Sequence, residues 1–201
     1  MTATVLLLDP RWPSLIPLHL AGRITGDVAF TPDVPADVRR ALNPPTSQDR
    51  WLISTDPDNA EVARWLRNGA TLECAASLND PVLQATRTMH AARRRGEWEQ
   101  AMTHESLLPY LREEAEEVAQ AIEHNLPIDA LKSELSDLLL QILFHAELAS
   151  ERGAFDFSDV ADAFVQKMRR RAPYLFDGST GPVDKATQDR LWEEGKAREK
   201  N

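Results

Sequence analysis

The chain has a single cysteine, Cys74, in 201 residues. That excludes an internal disulfide and any zinc site built from several cysteines, and it makes the cytoplasm the expected compartment. No apolar run approaches the roughly 20 residues of a membrane span, and the N-terminus, with Asp9 and Pro10 early, shows neither the basic region nor the cleavage pattern of a signal peptide. Positive charge is scarce: 23 Lys and Arg stand against 32 Asp and Glu, and the net charge of −9 argues against a general affinity for nucleic acid or an anionic membrane. There is no glycine-rich phosphate loop, because Gly22 and Gly26 lack the following Lys and Ser or Thr. Repeats and low-complexity tracts are missing as well. A polyanionic substrate would therefore have to be met by a metal or by a focused cluster of Lys and Arg.

With 42% hydrophobic residues the chain is expected to be globular, as one large domain or two modest ones. Residues 1–79 read as a small α/β unit whose role the sequence does not reveal. Thr4 to Leu8 (TVLLL) and Trp51 to Ser54 are short buried-type strands, each stopped by Asp-Pro; Asp58 to Asn68 reads as a helix ended by Gly69, and Thr71 to Ala75 as a further strand. Pro32, Pro35, Pro44 and Pro45 mark about 31 to 49 as loop.

Residues 80–201 read as an all-α bundle. The expected helices are Pro81 to Arg95; a long one ending at His124, capped by Thr103 or Ser106, with Pro109 in its first turn; Ile128 to Arg152, stopped by Gly153; Asp159 to Arg171, capped by Ser158; and about Asp184 to Lys200. Short connections favour antiparallel neighbours.

Two of these helices carry carboxylates three residues apart: Glu113, Glu114 and Glu117 on the first, Glu134 and Asp137 on the second. Residues at that spacing share a helix face, so Glu114 with Glu117, and Glu134 with Asp137, can aim oxygens at one point between antiparallel helices. Leu131, Leu135, Leu138, Leu139, Leu140, Ile142, Leu143 and Phe144 leave the second helix apolar nearly all round, the mark of a buried helix. Carboxylates in such a stretch need a compensating cation. An all-oxygen ligand set favours Mg²⁺, with Mn²⁺ possible, over zinc.

The blocks LREEAEEVAQAI, LKSELSDLLLQILFHAELA and KMRRRAPYLF, in this order, resemble the MazG family of nucleoside triphosphate pyrophosphohydrolases, whose signature EExxE then ExxD stands here as Glu113, Glu114, Glu117, Glu134 and Asp137. The resemblance runs from about Trp98 through Lys196. It implies an all-α catalytic domain, Mg²⁺ dependence, at least a homodimer, and hydrolysis of nucleoside triphosphates to monophosphate and pyrophosphate in nucleotide-pool housecleaning. It also implies metal ligands at Glu114, Glu117, Glu134 and Asp137, with Glu113 beside them as a further catalytic carboxylate. Substrate contacts are implied at Lys167, Arg171, Trp192, Lys196 and Trp98. Lys167 and Arg171 are four apart and share a helix face, which suits phosphate oxygens; Arg169 and Arg170 read as an exposed basic helix end.

The chain departs from the family pattern where Gly96-Glu97-Trp98-Glu99 and Met102-Thr103-His104 replace Cys-Pro-Trp-Asp and Gln-Thr-His, where Ser136 replaces a glycine, and where Ala172-Pro173-Tyr174 replaces His-Pro-His. None of these touches the carboxylates. Two rivals stand beside the enzyme reading. A di-iron bundle needs histidine three residues after a ligand glutamate, whereas His145 follows Ile142 and His124 follows Ala121. A catalytically silent helical dimerisation or regulatory module is the other; His104 and His145 read as ordinary packed or hydrogen-bonded residues in either case.

Overall fold

The computed structural model describes residues 2–20, 22–42 and 47–199. Pro44 and Pro45, assigned above to a loop, and Lys200, assigned to the last helix, lie outside the described residues. The chain forms two compact units, residues 1–84 and 85–201. The division falls inside a helix, a few residues beyond the break at 79/80 read from the sequence.

The first unit is a parallel four-stranded sheet of β1 (Ala3–Leu7), β2 (Asp27–Phe30), β3 (Arg50–Ser54) and β4 (Thr71–Cys74), in the order β2-β3-β1-β4. Helices α1 (Ala36–Ala41) and α2 (Ala60–Arg67) complete it. Alternate residues of β1 and the Leu8 that follows it enter opposite cores: Leu6 and Leu8 pack with Leu20, Val38 and Ile53, while Val5 and Leu7 pack with Leu52, Val62 and Leu78. Burial on both faces explains why β1 is apolar without alternation. The structure corrects the sequence reading in two places here. β2 is an edge strand of only four residues, DVAF, too short for a hydrophobic run, and α1 lies inside the stretch expected to be loop, entered directly after Pro35.

At the carboxyl ends of the strands, Asp9 and Asp33 are tied down internally. Asp9 is 1% exposed and paired with Arg11 at 2.8 Å. The hydrogen bond from Arg11 holds its carboxyl down at about 2 against the opposing effect of burial. Burial pushes the Asp33 carboxyl up, but hydrogen bonds from Thr31 and Thr55 outweigh it and bring it to about 2.

The second unit is helical: the continuation of α3 (Pro81–Arg95), then α4 (Glu97–Ala101), α5 (Leu108–Glu123), α6 (Ile128–Ser150), α7 (Phe157–Arg171) and α8 (Lys185–Arg198). α5 and α6 make a hairpin whose turn places Asn125 at φ 49°, a left-handed conformation that asparagine tolerates better than most residues. Met89, Leu107, Leu143, Phe144 and Leu148 form the core, and Arg93, 9% exposed, ties α3 to α6 through Glu151 with a 2.9 Å hydrogen bond from Nε. Among the described residues no helix is long and apolar enough to cross a membrane.

Three expectations change. Asp156, not Ser158, caps α7: its carboxylate accepts from the backbone N–H groups of Ser158 and Asp159, and the Asp159 carboxylate accepts from the Asp156 N–H. Thr103 and Ser106 do not cap α5; each side-chain oxygen accepts the other's backbone N–H around one preceding turn. Finally, α6 is not buried all round. Gln141, Leu143, Phe144, Ala146, Leu148 and Ala149 are buried, but Ile128 is 76% exposed and Leu135 and Leu139 are exposed too. Apolarity reports that a face is to be covered: in the N-terminal half of α6 Leu131 and Leu138 are half-buried, whereas among the described residues Leu135, Leu139 and Leu140 stay exposed.

Candidate functional site

The α5/α6 hairpin brings together Glu114, Glu134 and Asp137, each offering one carboxylate oxygen, all within 4.8 Å of one another. All three side chains are half-buried. Ionised carboxylates at that spacing repel by on the order of 3 kcal/mol per pair at the effective dielectric of a protein surface. The charge has visible consequences. Burial first, then the neighbouring carboxylates of Asp137, Glu117, Glu113 and Glu134, push the Glu114 carboxyl above the usual range. Glu117 is raised by burial and then by Glu134, which it lies beside, although it is exposed and outside the group of three. Glu113 is exposed and contributes repulsion to both. Three hard carboxylate oxygens converging on one point between the helices, with the Glu114 carboxyl raised, are the donor set of a divalent metal such as magnesium or manganese.

Of the residues expected to meet substrate, Lys167 and Arg171 lie on α7, Trp192 and Lys196 on α8, and Trp98 on α4. Arg171 is 19% exposed, with its guanidinium 5.3 Å from the centre of the Trp192 ring. Lys196 pairs with Glu193 of its own helix at 2.9 Å. Lys167 is exposed and lines an open groove with Phe155, Asp159, Val160, Ala163 and Phe164. Trp98 is half exposed; its other edge packs against Phe144 and Tyr110, with ring centres 6.0 and 5.7 Å away. His104 and His145 share a hydrogen bond between their Nδ1 atoms at 2.8 Å, as packed residues do.

The sequence reading missed Glu199, whose carboxylate sits between Arg170 and Arg171. It also missed the means by which α8 reaches them. Gly195 is buried against α7, and a Cβ there would lie 2.7 Å from the Arg170 carbonyl oxygen and 2.8 Å from the Arg171 Cα. A glycine inside a helical pattern is the one signal that could have pointed to this close approach.

Two family descriptions match separate parts of the chain. Residues 102–176 match the MazG nucleotide pyrophosphohydrolase domain, and residues 3–73 match the MazG N-terminal domain. A nucleoside triphosphate pyrophosphohydrolase of Mycolicibacterium smegmatis is 37% identical over 98% of this chain and 62% of its own length. One of Mycobacterium tuberculosis is 35% identical with the same coverage. The chain thus spans about three-fifths of the length of these relatives. The crystal structure of a MazG-related protein from Thermotoga maritima superposes with a TM-score of 0.50 at 25% identity, covering 57% of this chain and 97% of that one. From the hairpin carboxylates and the two matched domains together, it follows that this chain belongs to the MazG family, with a MazG N-terminal domain preceding the helical one.

Proposed function

We propose that the chain hydrolyses ribo- or deoxyribonucleoside triphosphates to monophosphate and pyrophosphate, with Mg²⁺ as the working ion and Mn²⁺ as a substitute. The observation that carries this reading is the group of Glu114, Glu134 and Asp137 within 4.8 Å on facing helices. Names of relatives aligned over 98% of this chain support it. In this reading residues 80–201 carry the chemistry, in the cytoplasm, as nucleotide-pool housecleaning.

Glu114, Glu134 and Asp137 hold the ion, with Glu117 beside Glu134 able to join them. When bound, the divalent cation neutralises phosphate charge and activates water. In this reading Glu113, or one of the ligand carboxylates, accepts a proton at its carboxylate oxygen from water attacking the α-phosphorus. Arg171 and Lys167 take phosphate oxygens, Lys196 adds charge on α8, and Trp192 and the open edge of Trp98 offer ring faces to base or ribose.

The exposed apolar residues Ile122, Leu126, Ile128, Leu135, Leu139 and Ile142 support assembly as at least a homodimer. The same residues also suit a catalytically silent partner-binding module, the second reading. A product assay over the common ribo- and deoxyribonucleoside triphosphates with Mg²⁺, separating pyrophosphate from orthophosphate, decides between them. Pyrophosphate plus monophosphate, lost in Glu114→Gln, supports the enzyme; no pyrophosphate from folded, metal-loaded protein rejects it.

A further inference from the structure

The last turn of α7 carries three successive arginines, and the structure uses them differently. Arg169 lays its guanidinium 4.3 Å over the Phe176 ring. Arg170 and Arg171 instead converge on one carboxylate. Glu199, at the end of α8, accepts from Arg170 Nε at 3.0 Å and from Arg171 Nε at 3.3 Å, with a second close bond from the Arg171 terminal nitrogen to its other oxygen.

Two guanidinium groups held this close repel each other unless an anion lies between them. The fork that receives the two carboxylate oxygens of Glu199 is the one with which arginine receives two phosphate oxygens. Lys167 lies three residues before Arg170 and four before Arg171, so the three cations share one face of α7. Lys167 also lines an open groove with Asp159, Val160, Ala163 and Phe164 of the same helix. Glu199 sits at the C-terminal end of its helix, where the helix dipole disfavours a carboxylate, so it owes its position to the two arginines.

We infer that Arg170 and Arg171, with Lys167 one turn back, form the seat for a phosphate group of the substrate, and that Glu199 occupies this seat until substrate displaces it. This rests on the nucleotide reading above and extends it: Arg170 becomes a substrate-binding residue, and Glu199 an internal competitor that sets affinity without touching the chemistry.

The test is a calorimetric titration of inorganic pyrophosphate with Mg²⁺ into the full chain, which needs no turnover. Glu199→Gln keeps the shape and removes the charge; it should bind pyrophosphate about threefold to tenfold more tightly than wild type, the range expected for a partly exposed charged contact. Arg170→Gln should weaken binding by a similar factor. In turnover assays KM for the triphosphate should follow these shifts while kcat stays within about twofold. Unchanged or weaker pyrophosphate binding by Glu199→Gln would make Glu199 a brace and overturn the proposal. If that variant fails to fold by circular dichroism, Arg170→Gln decides, and wild-type affinity there overturns it equally. A wild-type protein that hydrolyses no nucleotide would count against the proposed reaction, leaving the pyrophosphate titration to judge the seat.

Discussion

Glu114 on α5 and Asp137 on α6 present carboxylate oxygens within 4.8 Å of each other across the helical hairpin, and Asp137 is the strongest of the neighbouring charges that raise the Glu114 carboxyl. A pair so placed can be relieved by a proton or by a cation, and the two compete. Magnesium should therefore raise the melting temperature, since a ligand at a hundredfold excess over its dissociation constant adds about 2.7 kcal/mol. Glu114 and Glu117 are raised, so their contribution to stability without metal is present at low pH and lost as pH rises through their folded values. Melts at pH 8 and pH 5 should show a large Mg²⁺ shift at the first and a smaller one at the second. An equal shift at both would contradict this.

Removing one ligand charge should cost activity rather than fold. Glu114→Gln and Asp137→Asn are each expected to lower kcat by about 100-fold or more, as loss of a group acting on transition-state charge does. Without metal, Glu114→Gln should melt no lower than wild type at pH 8, because a repulsive charge has gone. Steady-state kinetics beside a thermal melt checks both halves, and wild-type turnover in either variant would remove these residues from the site.

The α7 cap offers a clean contrast. The Asp156 carboxylate accepts two backbone N–H groups, one of them that of Ser158, whereas the Ser158 side chain makes none of the capping bonds. Asp156→Ala should cost about 1 kcal/mol and Ser158→Ala close to nothing, measured by urea unfolding. The reverse order would restore the cap expected from the sequence.

What the sequence could show follows from the range of the forces involved. The carboxylate group was legible because residues three apart share a helix face whatever surrounds them, and α3 was legible from its apolar period. The four-residue β2 has no pattern long enough to read. Glu199 was invisible because it meets Arg170 and Arg171 from 29 and 28 positions away, through a helix contact that only packing sets. The partial exposure of α6 was misjudged for a related reason: an apolar face is written in the chain, but what covers it is not.

Acid should act on the sheet unit through Asp9. Its partner Arg11 keeps the carboxyl at about 2, below the ordinary value of 3.8. For a carboxyl lowered in this way, the stabilisation is complete above the unfolded value and disappears as pH falls through the folded one. The loss from this residue should fall between about pH 4 and pH 2, and Asp9→Asn, less stable at neutral pH, should flatten the slope there. Urea midpoints across that interval give the comparison, and parallel slopes for the two proteins would rule out Asp9 as the source.

Gly195 sets how near α8 lies to α7. An added methyl would meet the Arg170 carbonyl oxygen at 2.7 Å, and because backbone cannot rotate away as a side chain can, α8 itself must shift. Gly195→Ala would gain about 1 kcal/mol from helix propensity. Overpacking against backbone costs about 1 to 3 kcal/mol, so the net effect should be destabilising. The displacement should also draw Trp192 away from Arg171, now 5.3 Å from its ring, and Glu199 away from its two arginines. Urea unfolding should show the loss of stability, and the triphosphate KM should change while Mg²⁺ affinity, held by α5 and α6, stays at the wild-type value. A variant more stable than wild type with unchanged KM would mean that the two helices have room to part without consequence for the site.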